Sequence, residues 1–525
     1  MQISWKVEQI RRGERVEVVD VEPAHRPVAG SVRLRSLPAE VVEGPGTGPD
    51  LYEEVLYDDR SLPEAARRHL ETHPPGAAQV WPGSEVRTLV SQGPRENRIN
   101  LTIVGDGYTE AEKDRFFEDA RRLTEELFRG PTFASYLPLF NVHAVFVPSR
   151  ESGISDEVEK DTALGLYRYP AGSKRAIFPG KPDAIERALD LAPATDFPIL
   201  VANDDFYGGL GGRYAITTRS PESGAMVLRH ELGHNFGDVG EEYDGGSVYS
   251  GANHSDGPDV PWRHWVEGEP RVFEARHLLG QYPWKNLEQG PAAYRVQVPE
   301  STDKVVIDLS SVGWATPQDV ALTVDGQEIP YQGLPTRDRS FHRAQLRLEP
   351  GRHRLEVREN IHDHDNVLAL VNVNAYPPDY DFTPGKVAAF PTFSGWGGLA
   401  GYRPTHEDCL MRDMRSTRFC PVDQENMWHQ FLNRISLIDG VRTGSEGDPP
   451  RPFVQLDAPA LDGLDIRWFR LDDQGGEVER PDLRGLRRWN PAPGEAGRYR
   501  VRVSFSTPEV RRYTERFRAQ QDIEI

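Results

Sequence analysis

Residues 230–234 read His230-Glu231-Leu232-Gly233-His234, at the end of a segment whose pattern predicts a helix. Histidines four apart project from one helical face, one turn above the other. Two neutral imidazoles so placed can hold a zinc ion. A glutamate between them can reach a water on that ion and act as its general base. The flanks support a helix. Ser220 suits the N-cap, Pro221 the first helical position and Glu222 the positive end of the dipole. Val227, Leu228, Leu232 and Phe236 supply an apolar face, and Gly237 offers a stop. Gly233 costs the helix about 1 kcal/mol against alanine, and a small residue there lets another backbone approach closely. The bland alternative is a pair of satisfied histidines on an ordinary amphipathic helix.

A catalytic zinc needs a third protein ligand and keeps one position open. The chain continues Asp238-Val239-Gly240-Glu241-Glu242-Tyr243-Asp244-Gly245-Gly246. Glycines in this turn allow it to double back beneath the helix, bringing Asp238, Glu241 and Glu242 within reach. Glu241 is favoured as the ligand and Glu242 comes second. The carboxylate not used can orient a ligand histidine. His254 is an outside candidate. Tyr243 is a candidate donor to a developing oxyanion, weighed against an ordinary packed aromatic.

The string from His230 to Tyr243 resembles the signature of the immunoglobulin-A peptidase family, peptidase class M, family 64. Ile103–Thr109, Phe140–Val142 with Ser149–Gly153, Gly208–Ala215, and Cys409–Asp413 with Phe419–Val422 are similar to further segments of that family. These islands span roughly residues 95–440. The chain departs from the family at two places. Members often carry Asp-Glu-Tyr where this chain has Glu241-Glu242-Tyr243. Their late segment often ends Cys-Pro-Val-Cys, where Asp423 stands here. The resemblance implies a secreted or cell-surface zinc metallopeptidase with one catalytic ion, a metzincin-like domain, a protein or peptide substrate, and Met411 as an apolar floor under the site. Cys409 and Cys420 are the only cysteines, and they either pair as a disulfide or remain buried thiols.

Length and composition agree with a multidomain protein. The chain has 525 residues, 48 glycines and 43 prolines, which fits a loop- and β-rich fold. A formal charge of −20 argues against nucleic acid or an anionic membrane as main partner. No apolar run is long enough to span a membrane, and the first ten residues lack the apolar core of a signal peptide. Either the protein is cytoplasmic or a signal has been removed, and the family resemblance favours secretion.

The expected fold class is α+β: a zincin-like catalytic domain with a mixed sheet and an active-site helix, plus accessory β-sandwiches. Alternating patterns place a β-rich domain at 1–90, with a linker-like stretch over 76–95. The catalytic domain follows at 95–290, with strands at Ile99–Val104, Val142–Val147 and Pro198–Ala202. It has helices at Thr109–Phe128, with a Thr109/Glu112 capping box, and at Pro182–Asp190. Tyr214–Thr218 reads as an edge strand on which a peptide can align, and Gly208–Gly212 as a place where a substrate backbone can approach. A sandwich is inserted at 291–375, and His362–Asn366 within it reads as a polar turn. The catalytic domain resumes at 376–445 with a helix at Asn426–Leu437, and an immunoglobulin-like unit closes the chain at 450–525. The rival reading of the whole is a carbohydrate- or protein-binding module array around a vestigial peptidase core. The intact Glu231 counts against it, because a structural zinc has no use for a general base.

Overall fold

The computed structural model describes residues 4–12, 15–23, 31–38, 51–58, 60–72, 81–168, 175–246, 248–333, 336–363, 365–395, 397–472 and 474–525. Residues 76–80 of the expected linker, and His364 of the expected polar turn, lie outside these. The class is α+β, with many strands in several sheets and few helices.

A six-stranded sheet forms the centre, in the order Gly209–Leu210, Ala215–Thr218, Phe197–Ala202, Ile99–Asp106, Phe140–Phe146, Glu85–Val90. The four inner strands are parallel, and the two outermost run antiparallel to their neighbours. Parallel strands are covered on both faces, which explains why Ile99–Asp106, Phe140–Phe146 and Phe197–Ala202 are buried along their whole length. Alternate residues serve two cores. Ile199 and Val201 face the helices Lys113–Leu127 and Gly224–Gly237, while Leu200 and Ala202 face Pro182–Leu189 on the opposite side. The Thr109/Glu112 capping box forms, with the Thr109 N–H donating to Glu112 Oε2 at 3.0 Å.

Two expectations about this sheet need correcting. Ala215–Thr218 is interior, because Gly209–Leu210 pairs on its outer side. That outermost strand is itself partly bridged, since the Gly209 N–H donates to the Arg175 carbonyl at 3.0 Å. The glycine there answers to packing. A Cβ on Gly209 would lie 2.4 Å from Val227 Cγ1 of the helix Gly224–Gly237.

The sheets also divide the chain differently from the expected boundaries. Glu85–Val90, assigned to the first domain, pairs with Phe140–Phe146 in the central sheet. What precedes it is a four-stranded antiparallel sheet with the helix Glu64–Thr72, around Val7, Val21, Leu62 and Ala66. The inserted unit begins earlier than residue 291, because Arg276–Gln281 and Lys285–Asn286 pair with Val367–Tyr376. Its two sheets enclose a core that includes Ile307, Leu322, Val357 and Val371 around Trp314. The last unit begins at Gly440–Glu446, which pairs with Arg451–Asp457. The late helix runs Pro421–Leu432, five residues earlier than expected at its start, because Pro421 occupies its first turn. Among the described residues no helix is long and apolar enough to cross a membrane.

Both later units are fastened to the unit built on the central sheet by specific bonds. Asp338, from the inserted unit, accepts from Ser220 Oγ and Ser223 Oγ at 2.6 Å each, and from the Tyr207 N–H at 2.6 Å. A carboxylate at the start of the helix Gly224–Gly237 also suits its dipole. In the last unit, Glu509 accepts from Trp428 Nε1 at 2.7 Å, and Phe505 packs on the Trp428 ring with 4.8 Å between centroids.

Candidate metal centre

The helix Gly224–Gly237 is held by its apolar side. Phe236 meets Phe133, Phe140, Phe197 and Phe431 at ring-centroid distances of 4.9 to 5.3 Å. Leu228 and Leu232 complete that side and are fully buried. His230 and His234 therefore share a fixed orientation on another face. The helix ends are one step from expectation. Ser220 caps the turn before the helix, accepting from the N–H groups of Glu222 and Ser223 at 3.1 and 3.0 Å. At the other end Gly237 is still helical, and Asp238 takes the left-handed position with φ 51°. Aspartate tolerates that conformation better than most residues.

The chain then returns under the helix as the turn chemistry predicts. Gly240 and Glu241 donate to the carbonyls of Ser250 and Val248 at 2.8 Å each, and a Cβ on Gly240 would lie 2.6 Å from Ser250 N. This brings Glu241 onto the histidines. Its Oε2 lies 3.3 Å from His230 Nε2, its Oε1 lies 3.2 Å from His234 Nε2, and the two Nε2 atoms are 3.3 Å apart. His230 Nδ1 donates to the Leu410 carbonyl at 3.2 Å, and His234 Nδ1 to that of Val239 at 2.7 Å. With each Nδ1 carrying the proton, both Nε2 atoms present lone pairs to a carboxylate that also has only lone pairs. Glu241 Oε2 meets no hydrogen-bond donor. Three mutually repelling acceptors at this spacing fit a cation between them. Zinc bonds of about 2.0–2.2 Å would set neighbouring ligands roughly 3.3–3.6 Å apart in a tetrahedron.

Electrostatics mark the same point. Burial alone would lower the pKa of His230, but the charge of Glu241 outweighs it and the net shift is upward. Burial alone would raise Glu241, but His234 and His230 outweigh it and the net shift is downward. A proton and a metal ion thus compete for one set of lone pairs.

Glu231 is half-buried and faces a cleft of about 1220 Å³, solvent included, which His230, Glu241 and Tyr243 also line. The opposite wall comes from the inserted unit through Arg339 and Phe341. Burial, reinforced by the charge of Glu241, holds the Tyr243 phenol well above its ordinary pKa, so it stays protonated.

Glu242 points the other way and orients neither histidine, contrary to expectation. Its Oε1 accepts from Asn253 Nδ2 at 3.1 Å. The reason is local: the Glu241 N–H donates to the Val248 carbonyl at 2.8 Å, while the Glu242 N–H donates to the Met411 carbonyl at 3.0 Å, so the two neighbours are held by different segments. His254 is also apart, with Nε2 at 3.2 Å from Asp256 Oδ1. Met411 is fully buried beneath the helix. A Cβ on Gly233 would lie 2.8 Å from its Sδ and 2.9 Å from Phe419 Cε1. Gly233 therefore admits side chains rather than another backbone. Cys409 and Cys420 are buried free thiols.

Sequence reasoning missed the residues that hold this arrangement. Asp244 accepts from Arg412 and from Asn374 Nδ2 at 2.8 and 3.1 Å through Oδ2, and from the Phe393 N–H at 3.0 Å through Oδ1. Burial would raise its pKa, yet Arg412 and Arg403 outweigh that and keep it ionised. Both Asp244 and Arg412 stand inside quoted strings, but nothing local signals that they pair. Arg339 carries no signal at all. It is held by Ser310 Oγ at 2.9 Å and lies over the Tyr207 ring at 4.6 Å.

No curated protein matches the chain. Among solved structures, the β-glucuronidase of an uncultured Clostridium species overlaps at 12% identity with a TM-score of 0.13, covering 45% of this chain and 34% of that one. The Ruminococcus gnavus β-glucuronidase overlaps at 10% identity with a TM-score of 0.12, covering 45% and 35%. This chain spans about a third of the length of those enzymes, and overlap so shallow carries no shared fold. A family model is different in kind, because it meets the chain where the helix Gly224–Gly237 stands. Residues 88–281 match the family described as IgA Peptidase M64. That stretch, which is less than half of the chain, holds both histidines, Glu231 and Glu241, and it is the part of the chain that is similar to the M64 peptidases.

Proposed function

We propose that this protein is a zinc-dependent endopeptidase with a zincin-like catalytic domain, secreted or displayed at the cell surface. The observation that carries the reading is the convergence of His230, His234 and Glu241 at 3.2–3.3 Å, with each Nδ1 already engaged by a main-chain carbonyl. These three residues would hold the ion. When bound, zinc supplies Lewis acidity and makes a water easier to deprotonate.

The chain's own residues supply the rest. Glu231, in the cleft between the histidines, takes the proton of the attacking water and returns it to the leaving amine. Tyr243, kept protonated, donates to the oxygen on which negative charge develops. The cleft between the edge strand Gly209–Leu210 and the inserted unit receives a protein or peptide chain. With part of that edge bridged by Ala176, side-chain contacts from Arg339 and Phe341 carry more of the substrate's orientation than strand addition does. The secreted or surface location rests on the family resemblance alone.

The test is cleavage profiling of a whole proteome with the purified full chain, wild type against Glu231→Gln, with zinc measured on both. New peptide ends are expected only with wild type, with a loss of about 10²–10⁴-fold in the variant at unchanged zinc content. Equal cleavage by the variant would remove Glu231 from the mechanism.

A further inference from the structure

On the far side of the Glu241–Glu242 stretch lies a second buried cluster. One ligand-capable atom each from Glu242, Cys409, Cys420 and Asp423 lies within 4.8 Å of the others, and all four side chains are fully buried. Cys409 Sγ is 3.1 Å from Asp423 Oδ2, and Cys420 Sγ is 3.9 Å from Glu242 Oε1. Glu242 Oε2 and Asp423 Oδ1 meet no hydrogen-bond donor. Among the described residues no lysine, arginine or histidine forms an ion pair with either carboxylate. Two carboxyl groups with free lone pairs, side by side in an apolar interior, are costly unless they share a proton or a cation lies between them.

We propose that Glu242, Cys409, Cys420 and Asp423 form a second, structural metal site that binds zinc. Four protein ligands with no open position are the arrangement of structural rather than catalytic zinc. Thiolates select zinc over magnesium or calcium. Bonds of about 2.3 Å to sulfur and about 2.1 Å to oxygen place tetrahedral neighbours roughly 3.4–3.8 Å apart, and the observed 3.1 and 3.9 Å lie close on either side. Binding displaces the thiol protons to solvent.

The ion would join three segments. Glu242 follows Glu241. Cys409 and Cys420 flank the loop that supplies the Leu410 carbonyl to His230 and Met411 to the floor. Asp423 sits in the first turn of the helix Pro421–Leu432. The site would therefore fix the support on which the first cluster rests.

The inference does not depend on the peptidase reading, and cobalt separates the two. The full chain is produced with cobalt in place of zinc, as wild type, His234→Ala and the double variant Cys409→Ala/Cys420→Ala. The first cluster contains no sulfur, so thiolate-to-cobalt charge-transfer absorption reports only the second. That absorption is expected in wild type and undiminished in His234→Ala, which should retain about one ion per chain. It should vanish in the double variant. Absence of the absorption from both wild type and His234→Ala would overturn the site, even if the double variant fails to fold. So would an intact mass showing Cys409 and Cys420 joined as a disulfide.

Discussion

The two buried clusters lie back to back, one residue apart at Glu241 and Glu242, and they are assembled in opposite ways. His230, His234 and Glu241 come from one helix and the turn after it. Helical periodicity fixes the histidines, and two hydrogen bonds of the returning chain fix the glutamate. The other cluster gathers Glu242 and Cys420 from 178 residues apart, with the whole inserted unit between them. Local geometry can build a site from a short string, while a distant one exists only after the core has packed. The two are coupled all the same, since the loop that carries Cys409 and Cys420 also holds the His230 imidazole through Leu410.

That coupling can be broken from its anchor. Asp244 ties the segment bearing both glutamates to Arg412, to Asn374 and to the strand Phe390–Phe393. Asp244→Asn would leave the Arg412 guanidinium buried beside a neutral group, at an expected cost of about 3–5 kcal/mol in unfolding free energy. Denaturant titration measures it, and metal bound at both clusters should fall together. Full stability with one cluster intact would mean the segment is not their common support.

A smaller perturbation strikes the floor between them. Gly233→Ala should gain about 1 kcal/mol of helix propensity and lose about 1–3 kcal/mol by overpacking Met411 and Phe419. Net destabilisation of the folded chain is expected. A net gain would show that the floor yields freely and that Gly233 is not a packing requirement.

The mildest lever is pH, and it acts on the first cluster through His230. Glu241 raises the pKa of His230 above its ordinary value, so the proton is held more tightly than in a free imidazole. Metal needs the neutral ring. Affinity is therefore full above that raised pKa and declines as pH falls through neutrality, by about tenfold per pH unit for each proton taken up. Competition with a chelator from about pH 8 to pH 6 reads this directly. A flat affinity over that range would contradict a histidine-held ion.

Much of the first cluster was legible because its information is local. His230, Glu231 and His234 declare a helical face by spacing, and Gly240 declares a return of the chain. The Thr109/Glu112 box and the apolar strand Phe197–Ala202 were equally plain, since each needs only its neighbours in sequence. Errors arose where pairing decides. Ala215–Thr218 looked like an edge until Gly209–Leu210 folded onto its outer side. Arg276–Gln281 has no clear alternation of its own, and its place in the inserted unit comes from hydrogen bonds to Val367–Tyr376.

The sequence by itself determined the spacing of two imidazoles and a glutamate on one helix, because an α-helix converts a four-residue interval into a shared face whatever surrounds it. Only the tertiary structure decided that Glu241 rather than Glu242 meets those imidazoles, that Met411 and Phe419 fill the space over Gly233, and that Arg339 and Phe341 of a separate unit complete the cleft. Those outcomes depend on contacts between segments distant in sequence, and no local rule of backbone geometry specifies them.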